Sequence, residues 1–325
     1  MMKTSLLALV MGYIIDLIVG DPYVIYHPVR MIGNLISWLE KKLNTEKFKD
    51  KKRKFGVVLT ILVVCISTLV PFALLYIAYQ IHTVLGVVVE TIMCYQLLAT
   101  KSLKVESMKV YHALKDEDLP QARKAISMIV GRDTDQLTKD EISKAAVETV
   151  AENTADGVVA PMIFMALGGA TLGFFYKSIN TLDSMVGYKD ERYAEIGRCS
   201  ALLDDVVNFF PSRISAVLMI IASYLGGYHG ADAVRCFKRD RFCHPSPNSA
   251  QTESVMAGAL GVQLAGDAYY FGKKVRKATI GDHKRPIEIE DIKRANHLLY
   301  MTSCLSLLLC VGVKGFFLFA FGVLK

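Results

Sequence analysis

The chain has 325 residues, a net charge of +7 and 52% apolar residues, and its mean hydropathy is +0.33. A soluble domain of this length seldom has so positive a mean hydropathy, which argues against an ordinary soluble protein. Nucleic acid is the usual partner of a basic protein, but the cations here lie beside apolar runs. That placement is typical of cytoplasmic loops in a membrane protein, and we predict no nucleic-acid partner.

Three runs of the sequence contain no Asp, Glu, Lys or Arg, at 55–89, 157–176 and 214–231. Runs of about 20 such residues match the hydrocarbon core of a bilayer. We therefore predict an all-α fold, a polytopic membrane helix bundle that forms one integral membrane domain over 1–325. The predicted spans are 4–20, 56–79, 84–100, 157–176, 212–228 and 297–321.

The first predicted span could be mistaken for a signal peptide. It has no small-x-small cleavage site, and Asp16 interrupts its apolar run, so we interpret it as a span or a surface anchor. In the following segment, 34–54, eight cations outnumber three acidic residues, which predicts a cytoplasmic loop.

Residues 101–155 are predicted to form a polar helical insert. Asp118 marks one helix start, and Thr138 with Glu141 has the spacing of a capping box that opens another helix. The second helix would place three carboxylates on one stripe, at Glu148, Glu152 and Asp156. A solvated helix face and a bound cation both explain such a stripe.

The segment 229–296 is predicted to be a basic loop, because its twelve basic residues outnumber eight acidic ones, and this excess again favours the cytoplasm. The seven cysteines are scattered, with no Cys-x-x-Cys and no Cys/His metal spacing, and we interpret them as reduced thiols. Away from the ends of the predicted spans the charged residues are Asp16, Glu90 and Lys314, with no visible pairing, so an ion path through the bundle, as in a transporter, is not favoured.

Polar clusters lie beside the apolar runs, where carboxylates are costly unless they are paired or hold a cation. Asp and Asn oxygens suit Mg²⁺, which in turn carries phosphate, and arginine matches phosphate oxygens. The candidate catalytic residues are Glu152, Asp156, Asp183, Asp204 and Asp205, of which Asp156, Asp183 and Asp204 are candidate metal ligands. The candidate substrate- or phosphate-binding residues are His27, Arg30, Asn153, Asn180, Ser184, Tyr188, Asn208, Arg213, Asn248 and Ser249. Each of these residues also fits a turn, a helix cap or a solvated surface.

The order of these clusters resembles a known family. The matching motifs are Gly20-Asp21-Pro22, His27-Pro28-Val29-Arg30-x-x-Gly33, Glu152-Asn153-Thr154-x-Asp156-Gly157, Asn180-Thr181-x-Asp183-Ser184-Met185-Val186-Gly187-Tyr188, Leu203-Asp204-Asp205-x-x-Asn208-x-x-Pro211-x-Arg213, Pro247-Asn248-Ser249, Ala257-Gly258-Ala259-Leu260-Gly261-Val262 and Tyr270-Phe271-Gly272. Together they look like adenosylcobinamide-phosphate synthase, a membrane enzyme of cobalamin biosynthesis. No single motif is specific, but their fixed order is.

The resemblance implies a reaction and its partners. Adenosylcobyric acid, a cobalt corrinoid, would be joined in amide linkage to aminopropanol or its phosphate, with ATP consumed and Mg²⁺ required. The lipid bilayer and other membrane enzymes of cobalamin assembly are the further partners it implies. The alternatives are a related membrane regulatory or binding protein without ligase activity, a transporter, and a prenyl or phosphatidyl transferase, whose Asp-rich spacings are absent.

A single site can use both 152–156 and 180–205 only if the two segments lie on the same side of the membrane. The predicted span 157–176 lies between them, and a complete crossing by this span would place them on opposite sides. The spans on either side of 177–211 are short or rich in Gly and Pro, as broken or re-entrant segments are. We therefore predict broken or re-entrant helices there, in a multi-pass protein of the cell membrane whose active site faces the cytoplasm.

Overall fold

The computed structural model of the chain describes residues 2–22, 27–45, 51–188, 190, 192–270, 272–320 and 322. Three parts of the sequence predictions lie outside these residues: 46–50 of the first basic loop, Phe271 of the last motif, and residue 321 at the end of the last predicted span. The description below concerns the remainder.

Helices dominate the described part of the chain. The α-helices are α1 (Met2–Val19), α2 (Pro28–Leu43), α3 (Lys52–Ile81), α4 (Thr83–Leu97), α5 (Thr100–Lys115), α6 (Leu119–Ser127), α7 (Lys139–Asn153), α8 (Ala160–Val186), α9 (Arg198–Val207), α10 (Phe209–Leu225), α11 (Gly230–Asp240), α12 (Ser249–Leu260) and α13 (Asp291–Ala320). A π-helical turn, Thr154–Val159, joins α7 to α8. The strands are β1 (Leu264–Ala265), β2 (Ala268–Tyr270), β3 (Lys273–Val275) and β4 (Thr279–Ile280), paired antiparallel as β1 with β4 and β2 with β3.

Four helical stretches of the described chain are long and apolar enough to cross a membrane: Lys52–Ile81, Thr83–Lys115, Lys139–Val186 and Asp291–Ala320. The pair α9–α10 is bent by 47° and makes a fifth if it is one span, and Thr4–Val19 is a shorter apolar helix. The prediction of an all-α polytopic membrane protein is confirmed.

The predicted helix break lies inside α8. Gly168 has φ −142° and Gly169 has φ +67°, so neither residue is helical. A positive φ is the conformation that glycine adopts at no steric cost, which explains why the break falls at this Gly-Gly pair. It confirms the predicted break in 157–176. The second bend, between α9 and α10, lies just before the predicted span 212–228 and not inside it.

The chain forms two compact units. The first comprises Met1–Ala99, Ala160–Asn208 and Leu307–Lys325, and the second comprises Thr100–Val159 and Phe209–Ser306. A single membrane domain over the whole chain stays a prediction.

In the first unit, α1 packs against α4, and α8 packs against α3 and α4. A Cβ at Gly12 would lie 2.7 Å from the Cβ of Cys94, so glycine permits the close approach of α1 to α4. This unit also brings two charges into each other's field that showed no pairing in the sequence. Glu90 is buried and accepts a hydrogen bond from the Tyr79 hydroxyl at 2.6 Å, and its charge attracts buried Lys314, whose Nζ donates to Ser5 Oγ at 3.2 Å.

In the second unit the polar insert has the predicted helix starts. Asp118 caps α6 by accepting from the Gln121 N–H at 3.0 Å. Thr138 and Glu141 form the complete capping box at the start of α7. The prediction of a loop over 229–296 is wrong, because α11, α12 and the two strand pairs occupy this segment. α11 carries three of the basic residues, Arg235, Lys238 and Arg239, on its exposed face, whereas α12 is buried from Ala250 to Leu260.

We expect Gly258→Ala to destabilise the protein, because a Cβ at this position of α12 would lie 2.5 Å from the Asp232 carbonyl oxygen and 2.7 Å from the Ala233 Cα. Overpacking of this kind costs about 1–3 kcal/mol. The measurement is the melting temperature in detergent. Gly312→Ala is the matched control, because nothing lies within 4 Å of its added Cβ. Equal melting temperatures for the two variants would contradict the close α11–α12 packing.

Candidate functional site

The end of α8 and the end of α9 bring four candidate residues together in the first unit, and we call Asn180, Asp183, Asp204 and Asn208 the aspartate cluster. Asp204 is buried, and its Oδ2 accepts a hydrogen bond from Asn208 Nδ2 at 3.0 Å. The Asn180 side chain also donates to Asp204. Because Asn208 is held by the Tyr176 hydroxyl at 2.9 Å, the cluster is built on ordered helix ends.

The aspartate cluster concentrates negative charge. Asp183 and Asp205 both repel Asp204, and the buried Oδ1 of Asp204 accepts no hydrogen bond from the described residues. The Asp183 carboxylate lies against Gly187, where a Cβ would come within 2.0 Å of its Oδ1. Like charges held together with an unused buried oxygen favour a bound cation, since a cation relieves both costs.

Among the described residues, no three His, Cys, Asp or Glu side chains are arranged to hold a metal ion by themselves. Mg²⁺, however, is commonly held by one or two carboxylates together with substrate phosphates and water. Asp183 and Asp204 fit that kind of site. Asp156 belongs to the other unit, so the set of three aspartate ligands stays a prediction.

The remaining candidates of the first unit have local partners. His27 caps α2, since its Nδ1 accepts from the Val29 N–H at 3.2 Å, and its Nε2 lies 3.3 Å from Asp21 Oδ1. Ser184 Oγ donates to the Asn180 carbonyl oxygen at 2.8 Å. Arg30 is exposed on α2, and Tyr188 is half-buried just beyond α8. Their roles in substrate binding stay predictions.

The second unit brings together candidates from α7, α10 and the start of α12, and we call Glu152, Arg213, Asn248 and Ser249 the Ser249 cluster. Ser249 Oγ donates to Glu152 Oε1 at 2.8 Å. Asn248 makes no capping hydrogen bond to α12. Instead its Oδ1 accepts from Arg213 Nη1 at 3.1 Å and from Ser212 Oγ at 3.2 Å. The cap role that the sequence left open for Asn248 therefore does not describe its contacts.

Arg213 has N–H donors that make no hydrogen bond to the described residues. All hydrogen bonds between Arg213 and the described residues use Nη1, so Nε and Nη2 remain for an incoming group. Its guanidinium carbon lies 3.6 Å from the centre of the Phe209 ring. Arg241 lies close enough to repel Arg213, and its Nε is buried without a hydrogen-bond partner in the described chain. Two guanidinium groups that form no ion pair with a described carboxylate suit a phosphate.

Two further glutamates lie next to Glu152. Glu148 forms an ion pair with Arg132, and its Oε1 accepts from the Ala265 N–H at 2.6 Å. Glu253 is 6% exposed, and its Oε2 accepts no hydrogen bond from the described residues. Burial, and then the charges of Glu152 and Glu148, raise the pKa of Glu253 well above its ordinary value of 4.5.

Sequence reasoning did not assign Glu253 to the site. A signal was present, because Glu253 is the only charged residue of α12, a helix otherwise made of small, apolar and uncharged polar residues. Burying a carboxylate costs free energy unless another group compensates its charge, so a lone carboxylate in such a helix indicates a functional residue.

The candidates Asn153 and Asp156 lie where α7 ends. Asn153 Nδ2 donates back to the Thr149 carbonyl oxygen at 3.0 Å, and Asp156 lies in the π-helical turn. A π-helical turn has wider hydrogen-bond spacing than an α-helix, so the regular stripe predicted through Glu148, Glu152 and Asp156 ends at Glu152. Such turns are frequent at functional sites.

Comparison with known proteins decides the family. The family model described as "CobD/Cbib protein" matches residues 9–299. The chain belongs to the CobD/CbiB family. It is 45% identical over 309 residues to the cobalamin biosynthesis protein CobD of Clostridium perfringens, covering 95% of this chain and 98% of that protein. It is 44% identical over 311 residues to the cobalamin biosynthesis protein CbiB of Salmonella arizonae, again covering 95% and 98% of the two chains.

No solved structure matches the chain. Membership of the CobD/CbiB family confirms the resemblance found in the sequence and supports a role in cobalamin biosynthesis. The match covers every motif that carried the resemblance, from Gly20-Asp21-Pro22 to Tyr270-Phe271-Gly272. The aspartate cluster and the Ser249 cluster therefore both lie inside the family region.

Proposed function

We propose that this CobD/CbiB protein is an ATP-dependent amide-forming ligase, an adenosylcobinamide-phosphate synthase, that joins the free carboxyl of adenosylcobyric acid to the amine of aminopropanol or its phosphate. The observation that carries the proposal is the Ser249 cluster with its neighbour Glu253. Arg213 has guanidinium nitrogens that no described residue uses, Ser249 holds the half-buried Glu152, and the buried Glu253 carboxyl lies near Glu152. Phosphate recognition and amine chemistry are the two needs of such a reaction.

A carboxylate is a poor acylating agent, so the corrinoid carboxyl needs activation before the amine can attack. ATP, as co-substrate, would supply a phosphoryl group, and Mg²⁺ would neutralise phosphate charge when bound. Asp183 and Asp204 are the residues proposed to hold that ion, because Asp183 lies close enough to repel Asp204, and the buried Oδ1 of Asp204 accepts no hydrogen bond from the described residues. Asn180 and Asn208 orient Asp204.

The Ser249 cluster is proposed to bind phosphate. Arg213 would offer Nε and Nη2, and Asn248 would hold the guanidinium in position. Ser249 links this end to Glu152. The membrane spans support a multi-pass protein, and we propose that the site faces the cytoplasm, where ATP is present.

The test is a reconstitution of the reaction with the full-length protein in detergent. The protein is incubated with adenosylcobyric acid, aminopropanol phosphate and MgATP, and mass spectrometry looks for the corrinoid amide together with ADP. We expect amide in proportion to ADP, and none without ATP. Corrinoid binding without amide formation under all conditions would instead favour the binding or regulatory protein.

A further inference from the structure

In the second unit, Ser249 lies between a basic group of side chains and an acidic group, which we call the basic end and the acidic end of this site. On one side are Arg213 and Arg241, and on the other are Glu152 and Glu253. Ser249 touches the acidic end directly, since its Oγ donates to Glu152 Oε1 at 2.8 Å. Its chain neighbour Asn248 touches the basic end, since its Oδ1 accepts from Arg213 Nη1 at 3.1 Å.

The basic end lacks an anion. Neither Arg213 nor Arg241 forms an ion pair with a carboxylate of the described chain, although the two cations repel one another. Arg241 lies over the rings of Phe237 and Phe242, with its Nε buried and unpaired among the described residues. An unpaired guanidinium nitrogen that is shielded from water is costly unless a ligand accepts its hydrogen bond.

The acidic end has fewer cations than carboxylates among the described residues. Glu253 is repelled by two neighbouring carboxylates, Glu152 and Glu148. It is attracted by two cations, Lys277 and Arg132. Arg132 is paired with Glu148, which leaves Lys277 for the other two carboxylates. Lys277 Nζ itself donates to the Tyr270 hydroxyl at 2.8 Å.

A histidine does not fill this deficit. His244 lies near Glu152 and Glu148, and burial lowers its pKa below its ordinary value of 6.5, so it is mostly neutral at pH 7. The buried, unpaired Oε2 of Glu253 is the atom that an incoming cation would meet. Because the neighbouring basic end suits a phosphate, one ligand that carries both an ammonium group and a phosphate would compensate both ends.

We propose that this site binds a short amino-alcohol phosphate, with its phosphate on Arg213 and Arg241 and its ammonium on Glu152 and Glu253, and that Glu253 is the base that frees the amine. The assignment rests on the proposed function, since it names the place of the amine substrate. A neutral amino alcohol would use only the acidic end of the site.

The proton step is simple. The Glu253 carboxylate takes one proton from the ammonium nitrogen, and the electron pair of that N–H bond stays on nitrogen, where it can attack an activated carboxyl carbon. A carboxylate whose pKa is raised is a stronger base than an ordinary one, which suits this role. Glu152 keeps its hydrogen bond to Ser249 and orients the amine.

A lipid headgroup could supply the same chemistry, because phosphoethanolamine also carries an ammonium and a phosphate on a short chain. The experiment therefore measures binding by calorimetry to the full-length protein in detergent and in phosphatidylcholine nanodiscs, with and without phosphatidylethanolamine. The probes are 1-aminopropan-2-yl phosphate, 1-aminopropan-2-ol and inorganic phosphate, without ATP or corrinoid.

We expect the zwitterionic probe to bind the wild-type protein at least about tenfold more tightly than inorganic phosphate. Glu253→Gln should weaken the zwitterionic probe by about tenfold and leave inorganic phosphate unchanged, whereas Arg241→Gln should weaken both. Competition by phosphatidylethanolamine would support the same site and assign its occupant to the lipid; absence of competition assigns it to the free amino-alcohol phosphate.

Matched controls separate local from general effects. Glu106→Gln removes a carboxylate paired with Lys109 on the surface of α5, and Arg235→Gln removes an exposed guanidinium of α11. Neither should change binding. The Glu253 carboxyl has a raised pKa in the folded state, so at pH values above its pKa in the unfolded chain it destabilises the folded protein. Glu253→Gln removes this effect, and the melting temperature of the variant at pH 8 should therefore not fall below that of the wild-type protein.

Equal binding of the zwitterionic probe by wild-type protein and Glu253→Gln would overturn this inference, even if wild-type protein makes the corrinoid amide. An unchanged Michaelis constant for the amine in Glu253→Gln would do the same. Conversely, probe binding that follows the expected pattern in a protein that makes no amide would overturn the proposed ligase and leave the binding site in place. The two failures are therefore distinguishable.

Discussion

Asp204→Asn is expected to reduce amide formation by about 100-fold or more, the scale found when a preorganised electrostatic group is removed. The substitution keeps the size of the side chain and a hydrogen bond with Asn208, but it removes the charge that would bind Mg²⁺. The measurement is the rate of corrinoid amide formation over a Mg²⁺ titration, and the Mg²⁺ concentration for half-maximal rate should rise. Asp183→Asn should behave in the same way.

Asp190→Asn is the matched control for this change. Asp190 belongs to the same unit, and its Oδ1 only caps a turn by accepting from the Tyr193 N–H at 2.8 Å. Asparagine caps as well as aspartate, so this variant should keep its activity. If Asp204→Asn were as active as Asp190→Asn at low Mg²⁺, Asp204 would have no role in holding the ion, and its burial would be structural.

Glu90→Ala is expected to destabilise the protein by about 1–3 kcal/mol, because it removes the acceptor of the Tyr79 hydroxyl and the nearby negative charge that compensates buried Lys314. Glu90 is 4% exposed and Lys314 is 8% exposed, and the carboxylate charge attracts the ammonium group. Glu90 also accepts from the Tyr79 hydroxyl and, at 3.4 Å, from the Ala170 N–H beside the break in α8. The variant should therefore also loosen the broken helix.

The double variant Glu90→Ala/Lys314→Met tests the pairing. Replacing both charges removes the uncompensated one, so the double variant should be more stable than Glu90→Ala alone. The readout is the free energy of unfolding, or the melting temperature in detergent, around the complete double-mutant cycle. Strictly additive effects of the two substitutions would show that Glu90 and Lys314 act independently.

Several features could be predicted because they depend on neighbouring residues alone. Thr138 and Glu141 are three residues apart, and a capping box needs nothing beyond that spacing, so its prediction is confirmed. The break in α8 was visible in the same way, since a Gly-Gly pair removes the Cβ atoms that penalise a positive φ.

The composition of a segment proved a poorer guide. The excess of basic residues over 229–296 predicted a loop, yet the segment holds α11, α12 and two strand pairs. A net charge is summed over a whole segment and does not show how the charged residues are distributed. A helix with one apolar face can pack against its neighbours even in a basic segment. The Ala and Gly residues of α12 form a buried helix beside the charged α11, where Gly258 allows the backbones to approach.

The sequence by itself determined the membrane character, the helical class and the family, because apolar run length, local capping patterns and ordered motifs are properties of the linear chain. Tertiary structure alone decided which charges compensate one another. It placed Lys314 in the field of Glu90, 224 positions earlier, and Ser249 on Glu152, 97 positions earlier. It also left Glu253 Oε2 and Arg241 Nε without partners in the described chain. Contacts between distant residues depend on which helices meet, and helical periodicity indicates a buried face without specifying the helix that covers it.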